Sequence, residues 1–462
     1  MTRADAITAA GAWFDDGGLF DELARRVAIA TESPNPDRGP DLHRYLDAEL
    51  TPAFEAMGFV CDIFPNPVDG AGPFLIARRD EDPSLPTVMS YGHGDVVLGY
   101  DDQWRDGLDP WTLTVDGERW YGRGAADNKG QHTINLAALR TVLETRGALG
   151  FNIVVLIETG EETGSPGLGE FCAAHRDQLT ADVFVASDGP RVDATTPTVF
   201  MGSRGAFNFT MELTLRDGGH HSGNWGGLLA NPGVIMAHAI ASMVDERGEI
   251  LVDGWKAPPM SASVKAAIAE LSVGGDPESP AIDDWGEPGL TPEERVFGTN
   301  TFEVLAFETG NPRHPVNAVP PRAVAHGHLR LVVGTEIDEL LPALRRHLDD
   351  RGFGAIELSA SSVAMRPTRL DPDHPWARWA VGSIESTAGR PVAVLPNLGG
   401  SLPNDVFAET LGLPTIWVPH SYPGCSQHAP NEHVVAATCR DALEIMTGLW
   451  WDLGEGATPA SG

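Results

Sequence analysis

The chain has 462 residues, 42% hydrophobic and 21% charged with 12 Trp and 17 Phe, a composition that excludes a disordered chain. Its length exceeds what one hydrophobic core usually serves, so two domains, or one domain carrying an insertion, are expected. The formal net charge of −33, from 65 acidic against 32 basic residues, repels phosphate backbones and anionic lipid headgroups and excludes nucleic acid and membrane surfaces as partners.

From the amino terminus, residues 1–15 surround a short Ala-rich stretch with Asp5, Asp15 and a single Arg3, without the basic start and apolar run of a secretory leader. Over 17–58, apolar residues recur at three- and four-residue spacing (Leu19, Leu23, Val27, then Leu42, Leu46, Leu50) around the Pro-rich stretch 33–40, which predicts two helices. Strands are predicted at 60–64, 74–78 and 87–91, a helix at 131–145, and strands at 153–157 and 183–186. Such alternation argues for an α/β sheet covered on both faces.

After about residue 199 the pattern changes. Segments 207–215 and 323–333 alternate apolar and polar positions, whereas 232–244 and 336–348 are helical in period, as in a small α+β domain. Doubly wound α/β character resumes at 376–386, 392–395 and 415–418 and ends in a helix at 436–450. The expected organisation is a first domain in two parts, 1–199 and 369–462, with a second domain, 200–368, inserted into it. No internal repeat is evident, only the tail 454–462 is low in complexity, and no apolar run is long enough to span a membrane.

Motifs able to carry chemistry fall at the ends of these strands. Tyr91-Gly-His93-Gly-Asp95 puts His93 on the loop at a strand's carboxyl end, where open α/β sheets build their sites. Asp95 is placed to accept the ring's second N–H and fix its tautomer. Tyr121-Gly-Arg-Gly-Ala-Ala-Asp127 is a glycine-rich turn delivering one carboxylate just before the helix at 131–145, and it lacks the spacing of a phosphate loop. Glu158-Thr-Gly-Glu161-Glu162 follows the strand at 153–157, and two cations would explain why adjacent carboxylates are tolerated there. On that reading Glu162 binds metal, while Glu161 takes a proton from metal-held water and passes it to the leaving amine.

Ala186-Ser-Asp188 adds a carboxylate after a further strand, and Gly424-Cys-Ser-Gln-His428-Ala-Pro-Asn-Glu432 supplies a histidine on a loop after the strand at 415–418. Each motif alone is an ordinary turn, cap or solvated residue. In this order, at the ends of successive strands, they argue for catalytic zinc with three ligands per ion and one shared carboxylate. Cys425 is discounted as a thiolate ligand because the set already supplies enough. With no CxxC pair among Cys61, Cys172, Cys425 and Cys439, neither a disulfide framework nor a cysteine zinc finger is indicated, and a reducing, cytoplasmic location is expected.

With these residues in order, most of the chain resembles the dizinc metallopeptidase family of carnosinase, aminoacylase, carboxypeptidase G and succinyl-diaminopimelate desuccinylase. The resemblance implies an α/β catalytic domain with a mixed sheet covered by helices, plus an inserted α+β lid and dimerisation domain. It implies two Zn2+ ions, with Co2+ or Mn2+ as substitutes. His93 and Asp188 would hold one ion, Glu162 and His428 the other, with Asp127 bridging, Glu161 as general base and Asp95 orienting His93. Aspartate at 188, where the desuccinylase and carboxypeptidase G branches typically carry Glu, is similar to the carnosinase-like dipeptidases.

Gly202-Ser-Arg-Gly205 followed by His221-Ser-Gly-Asn-Trp-Gly-Gly227 resembles the lid of that branch. By that likeness His221 would reach a partner subunit's active site and stabilise the oxyanion of the tetrahedral intermediate, in a homodimer formed through the lid. Gly219 and His220 stand where the family motif has Asp-Leu, so either imidazole could serve, although spacing to Ser222-Gly223 favours His221. Asn317 and Arg330 resemble lid positions that hold substrate, Arg330 as a bidentate grip on a carboxylate. Gly400 and Ser401 lie in a run similar to the family's glycine-rich substrate loop.

The implied reaction is hydrolysis of an amide bond in a dipeptide or N-acyl amino acid. Hydrolysis of a nonpeptide amide, a ureido compound or an aromatic amine on the same site is the alternative, since fold does not fix substrate. A noncatalytic binding protein of the same fold is a further rival, against which intact Glu161 argues. Dizinc aminopeptidases share the ligand order but generally lack such a lid, whereas here about 240 residues separate Asp188 from His428.

Overall fold

The computed structural model describes residues 1–273, 285–456, 458 and 459, and the backbone alone at 361–364. Residues 274–284 of the expected inserted domain, and 457 and 460–462 of the low-complexity tail, lie outside the described residues. The chain divides into two compact units. The first comprises Met1–Gly202, Leu370–Pro396 and Pro403–Gly462, and the second Ser203–Arg369 and Asn397–Leu402.

In the first unit eight strands lie side by side in the order Val60–Phe64, Phe74–Arg79, Asn152–Glu158, Thr87–His93, Val183–Ala186, Thr415–Trp417, Thr198–Phe200, Ala393–Leu395. The four from Asn152–Glu158 to Thr415–Trp417 run parallel, and the antiparallel pairs toward the edges make the sheet mixed. Ile153, Val155 and Ile157 join a core with Ile134, Ala138, Leu443 and Met446 from the helices Lys129–Arg146 and Ala436–Leu453. Val154 and Leu156, on the opposite face by the two-residue period, are equally buried, which is why the segment reads as an unbroken apolar run.

Two local features depart from the expectations. Arg3–Asp15 is a helix, nucleated by a capping box in which Thr2 accepts from the N–H of Asp5 and the Asp5 carboxylate accepts from that of Thr2. The strand predicted at 87–91 continues through His93, so this histidine sits on the strand's last residue and not on the following loop. Its register partner there is Glu158.

In the second unit the strands Thr301–Thr309, Arg322–Leu331, Gly205–Thr214 and Glu357–Met365 form an antiparallel sheet in that order. Phe207, Phe209, Met211 and Leu213 are buried on one face, with less buried residues between them, as the alternation predicts. Helices Pro232–Met243 and Leu340–Asp350 close that face with Met236, Met243, Leu344 and Leu348 around Trp255. A two-stranded ribbon pairs His220–His221 with Ala318–Val319.

Asn397–Leu402, expected within the last catalytic segment, groups instead with the second unit. The reason is a set of hydrogen bonds no local pattern encodes: the N–H of Arg204 donates to the carbonyls of Leu398 and Gly400, both at 3.1 Å, and Ser401 Oγ donates to the Arg204 carbonyl at 2.6 Å. Among the described residues no helix is long and apolar enough to cross a membrane.

Candidate active site

In the first unit the parallel strands deliver His93 at the end of Thr87–His93, Glu161 and Glu162 three and four residues beyond Asn152–Glu158, and Asp188 two residues beyond Val183–Ala186. Asp127 arrives on the turn before Lys129–Arg146, where Gly130 approaches so closely that a Cβ on it would lie 1.9 Å from the Ala125 carbonyl oxygen. Only glycine fits there. His428 stands on the loop after Thr415–Trp417 with φ of 59°, flanked by Ser426 at 56° and Asn431 at 63°. Left-handed backbone costs a non-glycine residue roughly 1 kcal/mol or more, so this loop is held in shape by its surroundings.

These side chains converge. His93 Nε2 lies 3.0 Å from Asp127 Oδ1, 3.6 Å from Asp188 Oδ2 and 4.0 Å from Glu161 Oε2. His428 Nε2 lies 3.2 Å from Asp127 Oδ2 and 2.9 Å from Glu162 Oε2. Asp127 therefore turns one oxygen to each histidine. Asp95, fully buried, stands behind: its Oδ1 is 3.4 Å from His93 Nδ1 and accepts the N–H of Glu161 at 3.2 Å, and its Oδ2 accepts that of Glu162 at 3.1 Å. The His93 Nδ1 is nearer still to the Asp95 main-chain carbonyl, at 3.1 Å. So the tautomer is set by backbone and carboxylate together.

Burial, followed by the charge of Asp127, pushes Glu162 and Asp188 up to about 7. Burial and the neighbouring Asp188 and Glu162 carboxylates push Glu161 well above the ordinary range. Against the pull of burial, hydrogen bonds to His428 and His93 hold Asp127 low, and the Asp127 and Asp95 carboxylates hold His93 high. His428 is raised to about 11 by Asp127 and Glu162.

This crowding of acids fits cationic occupants. Asp188 Oδ2 is buried with no hydrogen-bond partner, which a carboxylate oxygen tolerates poorly unless a cation faces it. His93, Asp127 and Asp188 form one group and Asp127, Glu162 and His428 another, each with its ligand atoms within 4.8 Å of one another. The two mixed imidazole and carboxylate sets, sharing Asp127, have the donor chemistry of a pair of divalent ions.

The other predicted residues lie in the second unit. His221 is exposed on the ribbon and its Nδ1 accepts the N–H of Gly223 at 3.1 Å, whereas His220 packs edge-on against Trp225 with ring centres 5.8 Å apart. Asn317 is brought beside them, its carbonyl accepting from the N–H and Oγ of Ser222 at 2.9 and 3.0 Å. Arg330 and Ser401 are joined by a 2.6 Å hydrogen bond from Nη1 to Oγ.

Two residues escaped the sequence reading of the site. Asn128 donates to the Ser187 carbonyl at 2.9 Å and accepts from the N–H of His93 at 3.4 Å. Glu432, 1% exposed, accepts at Oε2 from Arg123 Nη1 at 2.7 Å and the N–H of Gly124 at 3.0 Å, and at Oε1 from the N–H groups of Ala126 and Asp127 at 2.9 and 3.0 Å. Removing one member of such a buried ion pair costs roughly 3–5 kcal/mol. The signal available was its place four residues after His428, an acid among Pro and Asn where an exposed loop would need none.

Comparison with known proteins bears on this geometry. A model described as peptidase family M20/M25/M40 matches residues 89–452. Human Beta-Ala-His dipeptidase is 37% identical over 408 residues, covering 83% of this chain and 78% of that protein. Cysteinylglycine-S-conjugate dipeptidase of Corynebacterium striatum is 27% identical over 406 residues, 85% of each. The crystal structure of human carnosine dipeptidase 1 matches with a TM-score of 0.79 at 22% identity, over 98% of this chain and 99% of that one. An M20 family metallo-carboxypeptidase of Sulfolobus solfataricus gives 0.81 at 22% identity, over 95% and 99%. At these identities the structural matches speak for a common mixed α/β fold.

Proposed function

Because the chain belongs to peptidase family M20/M25/M40, we propose that it is a dinuclear zinc hydrolase that cleaves the amide bond of a dipeptide, and that His93, Asp127 and Asp188 hold one ion and Asp127, Glu162 and His428 the other. The observation that carries this reading is Asp127, whose two oxygens each face a different histidine. When bound, such ions polarise a scissile carbonyl and make a nearby water molecule more acidic.

The chain's own groups supply the rest. Glu161 takes the proton of the attacking water on its carboxylate and returns it to the leaving amine. Asp95 keeps Glu161, Glu162 and His93 in register by holding two backbone amides while facing the imidazole. Arg330, oriented by Ser401 beside Gly400, grips the substrate's terminal carboxylate, and Asn317 helps to seat the substrate. His221, exposed where His220 is packed on Trp225, stabilises the oxyanion.

The second unit is proposed as a lid through which two copies pair. Its edge strand Thr301–Thr309 leaves Val304, Leu305 and Phe307 exposed, as a strand awaiting a neighbour would. Zinc is proposed over cobalt or manganese on the mixed nitrogen and oxygen ligands, and the cytoplasm on four free thiols. Relatives acting on Beta-Ala-His and on cysteinylglycine conjugates support a dipeptide over an acylated amino acid. Rates on dipeptides, N-acyl amino acids and ureido compounds, measured with metal content on one sample, test this. Faster turnover of an acylated amino acid or ureido compound than of any dipeptide would overturn the substrate class.

A further inference from the structure

Between Gly122 and Asp127 the backbone is neither helix nor strand, yet it must present the shared carboxylate to two histidines at once. Four of its six N–H groups find their acceptors on one residue, while those of Arg123 and Ala125 donate to the carbonyls of Pro110 and Gly122. The Gly122 N–H donates to the Glu432 main-chain carbonyl at 3.0 Å, and those of Gly124, Ala126 and Asp127 donate to the Glu432 carboxylate. With Arg123 Nη1 added, each carboxylate oxygen takes two donors, which leaves Glu432 no coordinating capacity of its own. Glu432 also lies only four residues beyond His428, on the loop whose left-handed residues Ser426, His428 and Asn431 need an external anchor.

We propose that Glu432 is the positioning residue of the paired-ion site, fixing the distance between Asp127 and His428 by clamping the 122–127 turn onto the loop that carries the histidine. It touches neither substrate nor ion, and it acts through the two ligands it joins. This inference rests on the two-ion reading above. A carboxylate is needed because both of its oxygens face only donors: in Glu432→Gln, either orientation of the amide sets an NH2 group against two of them.

The test is zinc competition against a chromophoric chelator with full-length protein. Glu432→Gln should bind the ion of Asp127, Glu162 and His428 on the order of 10- to 100-fold more weakly, the usual consequence of losing a group that orients ligands. Its kcat on a dipeptide should return as free zinc is raised, with KM unchanged, which a general loss of folding would not allow. Met446→Ala, a truncation in the helical core, should lower the melting temperature and leave zinc affinity at the wild-type value. A folded Glu432→Gln that binds both ions as tightly as wild type, or whose lost activity ignores added zinc, overturns the clamp. If that variant does not fold, Glu432→Asp, which keeps the charge but shortens the reach, carries the same measurement with a smaller expected loss. Wild-type protein that takes up fewer than two ions overturns the two-ion reading, and the clamp with it.

Discussion

The carboxylate of Asp95 accepts the backbone N–H of Glu161 at 3.2 Å, so the residue behind the His93 imidazole also fixes the proposed general base. Glu161 is thus held by its main chain, leaving its side chain free to exchange a proton. Glu161→Gln keeps that anchor and removes the proton acceptor. It should lower kcat on a dipeptide by about 10^2- to 10^4-fold with zinc content unchanged. Activity within a few-fold of wild type in zinc-loaded protein would remove Glu161 from the mechanism.

Asp127 belongs to both ligand groups, whereas Asp188 and Glu162 belong to one each. Metal analysis after gel filtration should find both ions depleted in Asp127→Ala but one retained in Asp188→Ala or Glu162→Ala. Two tightly held ions in Asp127→Ala would contradict a shared ligand.

Arg330 donates to Ser401 across the second unit and keeps further N–H groups for a ligand. Losing a hydrogen bond to a charged group costs about 1.5–3 kcal/mol, so Arg330→Ala should raise KM for a dipeptide by roughly 10- to 100-fold and alter kcat far less. A dipeptide amide, lacking the terminal carboxylate, should respond little. Equal effects on the two substrates would place Arg330 elsewhere than at the carboxylate.

His420 is buried among Ser187, Asn135 and the chain of Arg191, and burial, followed by the Arg191 charge, holds it well below the ordinary 6.5. The unfolded chain therefore binds a proton below pH 6.5 that the folded one does not, and the stability this group contributes above that pH is lost as pH falls. One proton is worth at most about 1.4 kcal/mol per pH unit. Urea unfolding from pH 7 to 5 should show a shallower acid decline in His420→Asn than in wild type, whatever the offset between them. Parallel declines would mean that His420 titrates normally.

The sequence could be read furthest where one element carries its own signal. Buried runs such as Asn152–Glu158 and the alternation of Gly205–Thr214 announced both sheets, and the motifs placed after those strands meet in space as His93, Asp127, Glu161, Glu162, Asp188 and His428. What stayed hidden depends on partners distant in the chain. Glu432 looks like any loop acid until the amides of Gly124, Ala126 and Asp127 are seen around it, and Ser401 joins the second unit through Arg204, 197 positions away. Thr301–Thr309 lacks an apolar alternation because only its first residues are covered. The helix at Arg3–Asp15 lies outside the predicted elements because its Ala-rich face carries little periodicity, although Thr2 and Asp5 form a capping box there.

Where the first unit's chain breaks off at Gly202 and resumes at Leu370, the two ends are tied, the N–H of Leu370 donating to the Met201 carbonyl at 2.6 Å. Just beyond, Thr368 does the same to Ser203 at 3.0 Å. An excursion of more than a hundred residues that starts and stops at neighbouring points can change in length without pulling the first unit's strands apart, because both of its ends are fixed at Met201 and Leu370.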